Sequence, residues 1–199
     1  MKRLCLSAML ALACTSLAHA QTPRSVDANQ LDVAGVKVGM GYDEAIAAAS
    51  QYLHVDKASL KPEALPSERS LIYLVTHQKL PGYFVHEKDG VRLQVNFAPR
   101  VPYDKNNPLV VDQVSYSMPW TPQNVKSFKE ALVAKYGEPS GGMYGEWCAE
   151  PSPNRGMGCS MYHGTVLKAG DTELTLYAPE YGDAVTRYQQ ELQSSKPGF

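Results

Sequence analysis

Between Met157 and His163 the chain sets Met157, Cys159, Met161 and His163 at every second position. In an extended segment these four side chains would share a face, because strand side chains alternate. Thioether, thiolate and imidazole together are the ligand set that selects Cu(I). Met143 could join them from the preceding loop. A second reading spends the sulfur differently: Cys159 bridges to Cys148, Met161 fills a gap beside the bridge, and Gly156 and Gly158 put Met157 in a turn. The bridge is the favoured expectation. Soft-metal binding by Met157, Met161 and His163 is kept as an alternative.

Other chemistries lack their motifs. There is no G-x-S-x-G to present a serine over a sheet. No H-E-x-x-H pairs two imidazoles on a helix, and no Walker loop cradles phosphate. Gly35, Gly39 and Gly41 miss the dinucleotide spacing. His77 and His86 are expected on neighbouring strands of a hairpin turning at 79–82, offset by two positions and without a third ligand. Asp104, Asp112, Glu146 and Glu150 could supply a glycosidase-like pair only if the fold brought two of them together. A hydrolase would therefore need a site assembled from scattered residues. The composition calls for no cofactor.

Aromatic residues near loops carry more information. Tyr103, Trp120, Tyr144, Trp147 and Tyr162 sit in segments rich in turn formers. Tyrosine and tryptophan dominate binding hot spots and stack on sugar rings. These five, centred on 141–163, are the expected partner-binding surface. Their bland alternative is a ring of rim-of-core aromatics.

Lys2 and Arg3 precede an apolar run to Leu17, and Ala18-His19-Ala20 matches a small-x-small cleavage site. Residues 1–20 are thus expected to be a signal peptide, leaving Gln21 as the new N-terminus and a periplasmic or secreted protein. Cys14 offers a rival lipoprotein reading, disfavoured because Leu12 sits one place too late. No later segment approaches the ~20 apolar residues of a membrane span. The 199-residue chain carries 19 Lys+Arg and 20 Asp+Glu. Removing the leader takes two basic residues and moves the net charge from −1 to −3. Cys148 and Cys159 then remain as a pair in an oxidising compartment, separated by ten turn-forming residues. Negative charge and the lack of a basic stripe exclude a nucleic-acid partner.

Residues 21–34 read as a loose lead-in. A helix is expected over about 42–53, with Tyr42, Ile46, Ala49 and Leu53 on one stripe. Residues 55–70 read as loop. Strands follow at 71–76, 83–86, 91–97 and 110–118, with Asp89-Gly90 turning a hairpin. A second helix starts at Thr121-Pro122 and stops at Gly137. Strands at 160–167 and 172–177 pair around Ala169-Gly170-Asp171. A last helix carries Tyr181, Val185, Tyr188 and Leu192, and residues 196–199 are a tail. Helices separated by runs of hairpin strands indicate an α+β fold with a mostly antiparallel sheet and about three helices on one face. One domain spans 35–195. Its possible halves, 35–118 and 119–195, would each be an α-β-β-β unit.

The run Val38-Gly39-Met40-Gly41-Tyr42-Asp43-Glu44-Ala45 resembles the helix entry of β-lactamase-inhibitor-protein-like domains and of small outer-membrane assembly lipoproteins. Lys135-Tyr136-Gly137-Glu138-Pro139-Ser140 is similar to their helix exit. Gly41 stands where those families carry a capping Thr or Ser, and the exit falls on the second helix. The resemblance implies a helix pair on a sheet and binding to other proteins. It transfers no functional residue.

These readings converge on an exported, non-enzymatic protein that binds an envelope protein, a hydrolase or a cell-wall component. A scattered-site periplasmic hydrolase and a copper-binding protein are the alternatives.

Overall fold

A computed structural model of the chain describes residues 23–64, 68 and 70–194. The leader with Cys14, the cleavage site after Ala20, and the tail 196–199 lie outside the described residues. The fold is α+β. Seven strands form one antiparallel sheet in the order β1-β2-β3-β4-β7-β6-β5. They are β1 (Lys61–Ala64), β2 (Pro81–Lys88), β3 (Val91–Pro99), β4 (Leu109–Ser117), β5 (Glu146–Trp147), β6 (Val166–Ala169) and β7 (Glu173–Tyr177). Four α-helices accompany them: α1 (Tyr42–Leu53), α2 (Leu71–Thr76), α3 (Pro122–Tyr136) and α4 (Pro179–Ser194).

Two three-strand meanders make up most of the sheet. β2-β3-β4 follows α1, and β5-β6-β7 follows α3. Their last strands pair with each other, Ser115 opposite Thr175. The α-β-β-β arrangement therefore occurs twice, with β1 and α2 added to the first unit.

Strand β3 alternates as its sequence predicts. Leu93, Val95 and Phe97 are buried, while Arg92, Gln94 and Asn96 lie on the other face and are joined by side-chain hydrogen bonds. Across the sheet, Val95 faces Phe84 and Val114, and Val114 faces Leu176. This apolar face forms the core with Ala45, Ile46 and Ala49 of α1 and Phe128, Leu132 and Tyr136 of α3. α4 contacts β3 and β4, the strands on which Ala98 and Val110 are buried outside the main core cluster. These two are register partners that point to the opposite face, and Val185 of α4 is fully buried. The one-face packing expected of the helices thus holds for α1 and α3, with α4 across the back.

Local sequence explains the ends of α3. The Thr121 hydroxyl accepts from the Asn124 N–H at 3.0 Å, Pro122 occupies the first turn, and Gly137 stops the helix with φ +75°. At α1 the Glu44 carboxylate accepts from the Gly41 N–H at 2.9 Å. A Cβ on Gly41 would crowd the end of the Asn107 side chain, which would have to shift to admit a capping residue.

Several expectations are corrected. Leu71–Thr76 is a helix, not a strand: the Ser70 hydroxyl accepts from the Tyr73 N–H, and His77 ends it in the left-handed region. Its buried residues, Ile72, Val75 and Thr76, follow helical spacing. His77 is consequently a helix cap and is not paired with His86, which lies opposite Leu93. The 55–70 loop contains β1, an edge strand that tolerates Pro62. Residues 160–165 turn instead of extending, since Tyr162 N–H donates back to the Cys159 carbonyl.

The described part of the lead-in is docked. Val26 N–H donates to the Cys148 carbonyl at 2.9 Å, and Arg24 donates to the carbonyls of Tyr136, the last residue of α3, and Glu138 just after it. Ala28 and Val33 are buried, and Thr165 donates to the Asn29 side chain.

Candidate functional site

The segment from Ser140 to His163 builds a lobe at the β5 edge of the sheet. Cys148 and Cys159 are disulfide-bonded, as their spacing predicts. Ser140 sits beside the bridge, fully enclosed, with its hydroxyl accepting from the Cys148 N–H. Glu146 ties the two halves of the lobe together. Its carboxylate accepts from the Cys159 N–H at 2.6 Å and pairs with Lys168 at 3.4 Å. Gly142 and Gly158 pack against each other and against Glu146. A Cβ on Gly158 would lie 2.8 Å from the Gly142 nitrogen. Both glycines also hold positive φ, so a side chain at either is excluded on two counts.

That close approach sets two loops side by side. One carries Met143 and Tyr144 and the other carries Met157, while Met161 follows the bridge. All four are exposed, at 86%, 59%, 49% and 75%. Tyr162 lies half-buried on the disulfide, and its hydroxyl is raised above the ordinary phenol value. Partial burial is the first cause, followed by the carboxylates of Glu150, Glu180 and Asp27.

Trp147 does not belong to this surface. It is 1% exposed, tilted against Tyr136 at 5.8 Å, and its indole N–H donates to the Gly137 carbonyl. The core takes it because β5 pairs with β6 and turns the ring inward over α3. Trp120 is 64% exposed but follows the C-terminal end of β4. Tyr103 precedes the N-terminal end of the same strand, where its hydroxyl accepts from Gln78. The five aromatic residues thus do not form one patch. Tyr144 and Tyr162 remain in the lobe with three exposed methionines, and Met161, expected to fill a gap beside the bridge, faces solvent instead.

No match is found among protein-family models, curated proteins or solved structures. Function must therefore be argued from this geometry alone.

The soft-metal constellation changes its meaning. Residues 155–157 form a 3₁₀ turn and 160–163 turn again, so Met157, Cys159, Met161 and His163 share no strand face. The Cys159 sulfur is in the bridge. Among the described residues, no group of three or more His, Cys, Asp or Glu side chains is placed to hold a metal ion.

The residues of a scattered hydrolase do meet once. Ser50, His54, Asp56, Ser59 and His86 line an open hollow between α1 and β2. Both hydroxyls there are committed to the backbone: Ser50 donates to the Val55 carbonyl at 2.6 Å and Ser59 to that of Asp56 at 2.7 Å. His54 caps α1 in the left-handed region. These bonds hold the turns between α1 and β1. The carboxylate pair fares similarly. Glu146 is held by the lobe, Asp104 accepts from the Asn106 N–H in its own loop, and β7 and β6 separate β4 from β5.

A pocket of about 340 Å³ opens between α1, α3 and the sheet. Its lining includes Tyr52, Tyr116, Met118, Phe128, Leu132 and Lys135. In sequence these are ordinary members of helix stripes and a strand face, and nothing marks the gap among them.

Proposed function

We propose that this is an exported, non-enzymatic protein that binds another macromolecule through the disulfide-stapled lobe. The observation that carries the reading is that Met143, Tyr144, Met157 and Met161, large apolar side chains, are all exposed on loops tied together by the Gly142–Gly158 approach, Glu146 and the disulfide. Exposed apolar clusters cost solvation unless a partner covers them. Methionine adapts to a partner's shape and tyrosine anchors it. The disulfide and Glu146 lower the ordering cost of binding, since the loops are already fixed. An envelope protein, a secreted hydrolase or a cell-wall component fits such a surface. Export is supported by the leader-like N-terminus and by the bridge, which persists in oxidising compartments. No helix among the described residues is long and apolar enough to cross a membrane.

The test compares two variants in the native host. Tyr144→Ser with Met161→Ser removes two anchors of the lobe; Trp120→Ser removes an exposed aromatic elsewhere. Complexes that co-purify with the wild type are expected to be lost from the first variant and retained by the second. Equal retention by both contradicts the assignment.

A further inference from the structure

We propose that the pocket between α1 and α3 is a second, independent site that takes a small aromatic molecule bearing an uncharged hydroxyl or carbonyl group. Four rings line it: Tyr52 on α1, Tyr116 on β4, and Phe128 and Tyr136 on α3. Tyr116 and Phe128 are stacked, 6.4 Å apart with an interplanar angle of 9°. Val33, Met118 and Leu174 complete an apolar floor. The volume of about 340 Å³ falls at the lower end of small-molecule sites, about 300–1,000 Å³.

The polar groups say what the ligand's head must be. The Tyr136 hydroxyl is spent on the Asp32 carbonyl at 2.7 Å. Among the described residues, neither the Tyr52 nor the Tyr116 hydroxyl has a hydrogen-bond partner. Burial, and then the neighbouring Tyr52, raise the Tyr116 hydroxyl above the ordinary phenol value. Tyr52 is 53% exposed, and either phenol can donate to or accept from a ligand oxygen. Lys135 stands at the mouth with its ammonium 5.5 Å from the Tyr52 ring and 5.2 Å from that of Tyr136. It is already paired with Asp32 at 2.7 Å. The mouth is therefore neutral in sum, and a charged head would displace an ion pair or meet a like charge. An aryl body with a neutral acceptor satisfies the rings and the phenols together.

The probe is 2-naphthol, titrated calorimetrically into the intact protein, with 2-naphthoate and naphthylmethylamine as charged counterparts. Saturable binding of one 2-naphthol per chain is expected, with both charged probes weaker. Tyr52→Phe with Tyr116→Phe should loosen it about fivefold, the worth of one ordinary hydrogen bond of ~1 kcal/mol. Ala131→Trp, which places a ring at an exposed lining position of α3, should abolish it. The Tyr144→Ser/Met161→Ser variant should bind 2-naphthol like the wild type, which separates this site from the lobe. Failure of the wild type to saturate overturns the proposal. So does an unchanged dissociation constant in a folded Ala131→Trp variant. Should that variant not fold, an unchanged constant in the double phenylalanine variant does the same. Tighter binding of 2-naphthoate overturns the neutral-head assignment.

Discussion

Trp147 and Trp120 show how much a single position depends on where the chain turns. Both are tryptophans in turn-rich sequence, yet one is a core ring and the other faces solvent. Trp147→Ala is expected to lower the unfolding free energy by about 3–5 kcal/mol, the cost of a large core truncation. Trp120→Ala should stay within about 0.5 kcal/mol. Urea melts of the two variants check this directly. Asp112 makes a pH-dependent contribution. It sits where the β3–β4 register shifts, one carboxylate oxygen is buried without a partner, and burial pushes its carboxyl up to about 6 from 3.8. Folding therefore favours the protonated form. Its stabilising effect is complete below the unfolded value of 3.8 and is lost as pH rises through 6. Asp112→Asn should stabilise the protein by up to about 3 kcal/mol at pH 7.5 and by nothing at pH 4. Denaturant titrations at the two pH values give the comparison.

Among the elements, the disulfide lobe and α2 stand at opposite ends of what local sequence can reveal. The bridge follows from two cysteines and a connector of turn formers. Its removal by Cys148→Ser with Cys159→Ser should cost about 3 kcal/mol on the loop-entropy model. Thermal unfolding should also show the lobe opening to protease before the sheet does. α3 was equally legible, because a capping threonine, a proline and a stop glycine act within a few residues of one another. α2 was not. A six-residue run of apolar and β-branched residues satisfies both periods, and the choice rests on the Ser70 cap and the left-handed His77. Ser70→Ala is expected to cost about 1 kcal/mol, read from urea unfolding. β1 was hidden by Pro62, which an edge strand accepts. The lead-in looked featureless because its partners, Cys148, Tyr136 and Thr165, lie more than a hundred residues away.

At the scale of the whole molecule, two meanders joined through β4 and β7 carry a helix pair on one face and leave the working features at the periphery. The class and the alternation of β3 were readable because a period of two needs no tertiary information. The pocket under α1 and α3 was not, since it exists only where two helices stand apart over the sheet. Met161 differs from its expectation for a related reason: whether a methionine fills a gap or faces water depends on what packs beside it. The lobe remains the centre of the functional account, and site-specific photo-crosslinking tests it most directly. A photoreactive phenylalanine placed at Tyr144 or Met161 in the native host should give a discrete adduct with one macromolecular partner, absent when the same group replaces Lys129 on the exposed side of α3. Adducts that are absent at the lobe, or identical at all three positions, would contradict the account.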